Sequence, residues 1–157
     1  MESIKLKVNG INHEISVGIT TNLLEVLRDK LHITSPKAGC ENGDCGSCSV
    51  IINGKLMRAC ITNALSIDGA EVLTIEGLSA DGGLHPLQKH FYEMNAFQCG
   101  FCTPGMIMAA KALLDRNPSP SKEEVKEALA GNLCRCTGYV TIIDAVLAAA
   151  KEMTISD

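Results

Sequence analysis

The sequence predicts an α+β fold in two parts: a small sheet crossed by one helix, followed by four short helices. Three observations predict it. Strand-like alternation and two Asn-Gly turns occupy the first half, as far as Ile75. Beyond Gly82-Gly83 the alternation stops and apolar residues recur at helical spacing. The 8 cysteines divide evenly, with one set in each part.

Ile4-Lys5-Leu6-Lys7-Val8 alternates apolar and polar residues, which predicts a half-buried strand. Asn9-Gly10 predicts a tight hairpin, with Asn12 to Val17 as the return strand. Leu23, Leu24, Leu27 and Leu31 lie on one helical face, Asn22 and Glu25 suit a capping box, and Pro36 closes the element. Ala38 to Gly46 reads as loop. A second hairpin follows, Ser49 to Ile52 and Lys55 to Arg58 around Asn53-Gly54, and Glu71 to Ile75 is the last strand. Gly77 to Gly83 reads as a linker.

His85 to Asn95 is predicted helical, with Pro86 in its first turn. A longer helix runs from Thr103 to Arg116. Thr103 is its expected cap, Pro104 its first residue, and Met106, Ile107, Ala110 and Leu114 share a face. Asn117-Pro118-Ser119-Pro120 breaks it. Ser121 and Glu124 form a capping box for a helix reaching Leu129, with Gly131 beyond, and Tyr139 to Met153 is the last helix. Four short helices pack most simply as a bundle.

The chain of 157 residues is 46% hydrophobic but only 3% aromatic and lacks Trp, so its core is aliphatic. A net charge of −4, with no basic run longer than a pair, disfavours nucleic acid as a partner. The first residues alternate like a strand and carry neither a signal-peptide run nor a twin-Arg pair. The apolar run Ala145 to Ala150 is too short for membrane insertion. The expectation is a cytoplasmic protein, whose cysteines bind metal and do not form disulfides.

Cys40-x4-Cys45-x2-Cys48 followed by Cys60 has the plant-type spacing for a [2Fe–2S] cluster. Such a loop must turn three thiolates inward around bridging sulfides. Gly39, Gly43 and Gly46 sit where close turns and inward-facing amides are needed. A structural zinc site is the alternative, but zinc prefers paired Cys knuckles. Cys99-x2-Cys102 with Cys134-x-Cys136 is less specific; spacing alone allows a cluster or zinc. Cys102-Thr103 and Cys136-Thr137 echo one another and suggest two helix starts converging on one site. Gln98, on the residues alone, is a polar helix-terminal residue. His13, His32, His85 and His90 are scattered, and two complete thiol sets need no histidine ligand. Met94, Met106 and Met108 read as core or interface filler, and Lys122 to Glu127 as a solvated helix face. Arg135, between two cysteines, is suited either to offset local negative charge or to meet a partner. No Ser/His/Asp triad, Walker loop or Rossmann fingerprint is present.

Three segments, Cys40-Glu-Asn-Gly-Asp-Cys-Gly-Ser-Cys-Ser-Val50, Gln98-Cys-Gly-Phe-Cys-Thr-Pro-Gly105 and Asn132-Leu-Cys-Arg-Cys-Thr-Gly-Tyr139, carry a family resemblance. Together they resemble the small iron–sulfur subunit of molybdenum hydroxylases, the xanthine dehydrogenase/aldehyde oxidoreductase family that includes nicotinate, quinoline and carbon monoxide dehydrogenases. The likeness covers nearly the whole chain. It implies a β-grasp, plant-type ferredoxin-like domain over 1–77 and an all-α four-helix-bundle [2Fe–2S]-binding domain over 84–157. It implies two [2Fe–2S] clusters, one on Cys40, Cys45, Cys48 and Cys60 and one on Cys99, Cys102, Cys134 and Cys136. Helix N-termini at Thr103 and Thr137 would then place partial positive charge beside the second cluster.

By the same resemblance, Gln98 and Cys136 lie against the pterin of a molybdopterin cofactor held by a partner large subunit. Electrons pass from molybdenum through both clusters to FAD on a medium subunit. The complex, a dimer of heteromers, hydroxylates an N-heterocycle (nicotinate- or purine-like) or related substrate with oxygen from water. This chain would hold no catalytic residues of its own. A free two-cluster ferredoxin is the alternative; it leaves the helical part without a role and predicts a more acidic surface. A zinc-stabilised interaction protein is the other competitor.

Overall fold

A computed structural model describes residues 1–79 and 82–155. Among the described residues five strands, β1 (Glu2–Val8), β2 (Ile11–Val17), β3 (Ser49–Ile52), β4 (Lys55–Arg58) and β5 (Glu71–Leu73), form one mixed sheet in the order β2-β1-β5-β3-β4. β1 (Glu2–Val8) and β2 (Ile11–Val17) pair antiparallel from Glu2↔Val17 to Val8↔Ile11. The turn between them needs a left-handed backbone at both central residues, and Asn9 (φ 50°) and Gly10 (φ 83°) supply it. β3 (Ser49–Ile52) and β4 (Lys55–Arg58) repeat the device at Asn53 (φ 47°) and Gly54 (φ 79°). β5 (Glu71–Leu73) runs parallel to β1 and antiparallel to β3. This is a β-grasp arrangement, with the inward faces of β1, β2 and β3 closed by one helix.

That helix departs from the regular α-helix predicted between Leu23 and Leu31. Only Leu23–Glu25 (α1) is α-helical, and Val26–Lys30 forms a wider π-helical turn closed by Leu31 N–H on Val26 O at 3.1 Å. The widening lets Leu23, Leu24, Val26 and Leu27 all face the sheet. The expected capping box of Asn22 and Glu25 is formed. Arg28 then donates to Thr34 O and Pro36 O, which fixes the approach to the first cysteine loop.

β5 ends at Leu73, two residues short of the prediction. Thr74 is fully buried, and its hydroxyl and amide are engaged by Asn9 from the first hairpin turn. The chain then leaves the ladder into a 3₁₀ turn, Ile75–Ser79. Residues 75–79 are thus packed against the fold, with Ile75 and Leu78 touching the helical core. Residues 80 and 81 of the predicted linker lie outside the described residues.

Among the described residues four helices follow: α2 (Pro86–Glu93), α3 (Thr103–Arg116), α4 (Lys122–Leu129) and α5 (Val140–Ile155). His85 caps α2 through Nδ1, with Gln88 completing a capping box. Ser121 and Glu124 do the same for α4, as the sequence predicts. Thr103, expected as a cap, is instead the first residue of α3. A second core forms around Leu87, Phe91, Met106, Val125, Ile142 and Val146. α3 is buried on more than one face because it also packs on β3. Among the described residues no helix is long and apolar enough to cross a membrane.

Candidate metal centres

The first cysteine loop leaves β-geometry through three left-handed residues, Glu41 (φ 57°), Gly43 (φ 87°) and Gly46 (φ 76°). The turns aim backbone amides inward: Cys45 N–H donates to Cys40 Sγ at 3.3 Å. Amides of Cys45 and Asn42 pull the Cys40 thiol down to about 6. Gly39 lies so close to Cys45 that a Cβ there would sit 2.8 Å from its sulfur. Cys48 is 2% and Cys60, in the turn after β4, 7% exposed. Burial, then contact with the Cys48 sulfur, pushes the Cys60 thiol up to about 11. Within this set Cys40 lies against Cys45 and Cys60 against Cys48, and the charge of Cys40 also reaches Cys60.

The second set is built from the loops before α3 and α5. The sulfurs of Cys99 and Cys136 are 3.7 Å apart and exposed. Contact with Cys99 raises the Cys136 thiol. Cys102 is more enclosed; burial, then contact with the Cys134 sulfur, pushes it up to about 12. Burial also works to raise Cys134, but the Thr137 hydroxyl (3.1 Å) and amide (3.4 Å) donate to its sulfur and hold it below the usual range. Cys99 thus lies against Cys136 and Cys102 against Cys134, and the charges of Cys99 and Cys134 also reach Cys102 and Cys136. The Thr103 hydroxyl, adjacent to Cys102, is buried with no protein partner.

Thr137 does not start a helix as predicted, because α5 begins at Val140. Tyr139 adopts φ 71° so that its hydroxyl accepts from Cys134 N–H at 2.8 Å, while its own amide donates to Thr137 Oγ1. A closed hydrogen-bonded loop therefore leads into α5, which begins one residue beyond the predicted Tyr139 and whose first turn closes on Tyr139 O. Gln98 comes beside the same loop, its Nε2 donating to Cys136 O at 3.0 Å. Phe97, Phe101, Leu133, Arg135 and Val140, close in sequence to these cysteines, are all exposed.

The two sets are hydrogen-bonded to one another. Leu133 N–H, next to Cys134, donates to Cys45 O at 2.9 Å. Asn132 Nδ2 donates to Gly46 O and Ser49 Oγ, and Arg58 reaches Ser49 Oγ and Gly131 O, each at 2.8 Å. Sequence reasoning assigned nothing to Arg58, Ser49 or Asn132, since their partners are remote in the chain. None of the four histidines joins either set; His90 pairs with Glu152 on α5. Among the described residues no three Cys, His, Asp or Glu side chains converge on a point that one metal ion would occupy.

The profile of the "[2Fe-2S] binding domain" family matches residues 74–147, and that of the "2Fe-2S iron-sulfur cluster binding domain" family matches residues 7–91. The nicotine 6-hydroxylase small subunit of Paenarthrobacter nicotinovorans is 50% identical over 150 residues, covering 96% of this chain and 90% of that protein. The nicotinate dehydrogenase small FeS subunit of Eubacterium barkeri is 46% identical over 150 residues, covering 96% of each. The crystal structure of quinoline 2-oxidoreductase from Pseudomonas putida 86 contains a chain that superimposes with a TM-score of 0.93 at 44% identity, covering 98% of this chain and 96% of that one. With both halves matching 2Fe–2S domains and small subunits matched end to end, the chain belongs to the iron–sulfur electron-transfer subunits of the molybdenum hydroxylase family.

Proposed function

We propose that the chain holds two [2Fe–2S] clusters and relays electrons between a molybdopterin-binding large subunit and an FAD-binding medium subunit. Cys40, Cys45, Cys48 and Cys60 hold the first cluster, in a sheet domain spanning 1–77. Cys99, Cys102, Cys134 and Cys136 hold the second, in a helical domain spanning 84–157. The observation that carries this reading is the gathering of four thiols in each half of a chain whose two halves match 2Fe–2S domain families. A tetrahedral metal with sulfur bonds of about 2.3 Å sets its sulfurs about 3.8 Å apart. Two irons each take one pair, and the 3.7 Å separation of Cys99 and Cys136 suits one such pair. The unpartnered Thr103 hydroxyl beside Cys102 suits an anionic sulfur group.

When bound, the clusters supply one-electron storage and transfer. The chain's own residues set the conditions for it. Inward amides at Cys40 and the Thr137 hydroxyl at Cys134 stabilise thiolate charge. The buried pair Cys48 and Cys60 excludes water, whereas Cys99 and Cys136 remain at the surface. At that surface Gln98 is bonded to the Cys136 carbonyl, and Phe97, Phe101 and Leu133, close to the cysteines in sequence, are exposed, which supports a face covered by the large subunit and its pterin. The names of several relatives favour an N-heterocycle, or a related compound, as the substrate of the complex; the oxygen added to it would come from water. All eight cysteines are free thiols, which suits a reducing cytoplasm.

Metal and acid-labile sulfide analysis of the purified chain tests the reading. Iron and sulfide in equal amounts, with two distinct spin-half signals on reduction, are expected. Zinc without sulfide at either site would refute the matching cluster.

A further inference from the structure

We propose that Arg58, acting with Asn132, is a positioning residue that sets electron passage between the two cysteine sites. The inference rests on the two-cluster reading above. Of the hydrogen bonds across the junction, one links the cysteine peptides most directly: the carbonyl of Cys45 accepts from the amide of Leu133, whose neighbour is Cys134. From the peptide of one thiol to that of the other, the connection is covalent except for this step. Its geometry therefore controls how closely the two sites communicate.

Three consecutive residues are tied to the first cysteine loop and the strand that follows it. Gly131 O accepts from Arg58 Nη2, Asn132 Nδ2 donates to Gly46 O and Ser49 Oγ, and Leu133 N–H meets Cys45 O. Arg58 projects from the end of β4 and reaches both partners at once, Ser49 Oγ and Gly131 O. Among the described residues it forms no ion pair, so its fork serves neutral acceptors on either side of the junction.

Two further features favour a selected junction over a generic contact. Gly46 and Gly105 allow a backbone approach that side chains would block: an added Cβ would lie 2.5 Å from Gly131 O or 2.4 Å from Gly46 O. Asn132 is 2% exposed, yet its Oδ1 has no partner. A buried acceptor left unpaired is costly, so this side chain is kept for its two donations. In the step served, one electron leaves the helical-domain site and arrives at the sheet-domain site. No bond forms or breaks.

The test uses the full chain in its complex, with Arg58→Ala, Arg58→Lys and Asn132→Ala. Three quantities are read: hydrogen exchange at the Leu133 amide, the midpoint potential of each centre, and the rate of electron equilibration between centres after flash reduction. Arg58→Ala is expected to speed Leu133 exchange by about tenfold. It should slow equilibration several-fold while leaving iron content and both potentials unchanged. Arg58→Lys keeps one donor and should recover part of the rate. Asn132→Ala should act in the same direction, and it carries the test if Arg58→Ala does not assemble. Faster exchange with an unchanged electron rate would reduce the residue to a purely structural brace and overturn the proposal, as would unchanged exchange. A wild-type chain without iron and sulfide would instead remove the two-cluster reading itself.

Discussion

The amide of Leu133 donates to the carbonyl of Cys45 at 2.9 Å, joining the loop that carries Cys134 to the loop that carries Cys40, Cys45 and Cys48. The two halves have separate cores, but their cysteine loops share one polar seam made by Gly46, Ser49, Arg58, Gly131 and Asn132. Changes at the seam should therefore be felt at both sites, although no cysteine is altered.

Gly105 is the sharpest place to test this coupling. It lies in the first turn of α3, where Ala is preferred over Gly by about 1 kcal/mol. Propensity alone predicts a more stable protein. An Ala Cβ, however, would stand 2.4 Å from Gly46 O and 3.2 Å from Ser47 Cα, both backbone atoms that cannot rotate away. Overpacking of this kind costs about 1–3 kcal/mol, so Gly105→Ala is expected to be destabilising. Urea denaturation of the variant should show a lower midpoint, and Leu133 should exchange faster. A raised midpoint would mean that the seam yields freely.

Glu76 ties the end of the sheet to the segment before the first cysteine loop, and it makes stability depend on pH. Its carboxylate accepts from Ser35 Oγ (2.5 Å), Ser35 N–H (3.2 Å) and Thr74 Oγ1 (2.6 Å). Burial acts to raise its pKa, but these donors outweigh burial and hold it below the ordinary value. A folded pKa below the unfolded one gives stability that is complete above the ordinary Glu value, about 4.3, and is lost as pH falls through the lower folded value. Glu76→Gln should be less stable at neutral pH by about 1 kcal/mol. The gap should narrow in acid, because only the wild type has this contribution to lose. Thermal midpoints of both proteins from pH 7 downward check this, and parallel curves would contradict it.

What was legible in the sequence was mostly local. Asn9-Gly10 and Asn53-Gly54 fix both hairpins because few other residues accept two successive left-handed conformations. Ser121 and Glu124 mark the start of α4 for an equally local reason. The misread boundaries depend on remote partners. β5 stops early because Asn9 captures Thr74, and no helix starts at Thr137 because its hydroxyl and amide are turned to the Cys134 sulfur. The π-helical turn reflects the need to bury four apolar residues against one sheet. For the thiols, spacing assigned a set to each half. The partnering of Cys48 with Cys60, or of Cys99 with Cys136, appears only once the loops are folded.

Thr137 shows how a misread residue can bear on function. Expected at a helix start, it instead donates its hydroxyl to Cys134 Sγ at 3.1 Å and its amide to the same sulfur at 3.4 Å. Hydrogen bonds to a ligand sulfur favour the more negative, reduced state of an anionic centre. Removing the hydroxyl should therefore lower the midpoint potential of the helical-domain centre, while Thr137→Ser, which keeps the donor, should restore it. A differential of about 1 kcal/mol between redox states corresponds to a shift on the order of 40 mV for one electron. Thr137→Val retains the amide donor and nearly the same volume, so assembly of the site should survive. Redox titration followed by low-temperature EPR reads both centres in one sample. The expected result is a downward shift confined to the helical-domain signal, with the sheet-domain signal as internal control. An unshifted Val variant, or equal shifts of both signals, would show that the Thr137 hydroxyl does not tune this centre.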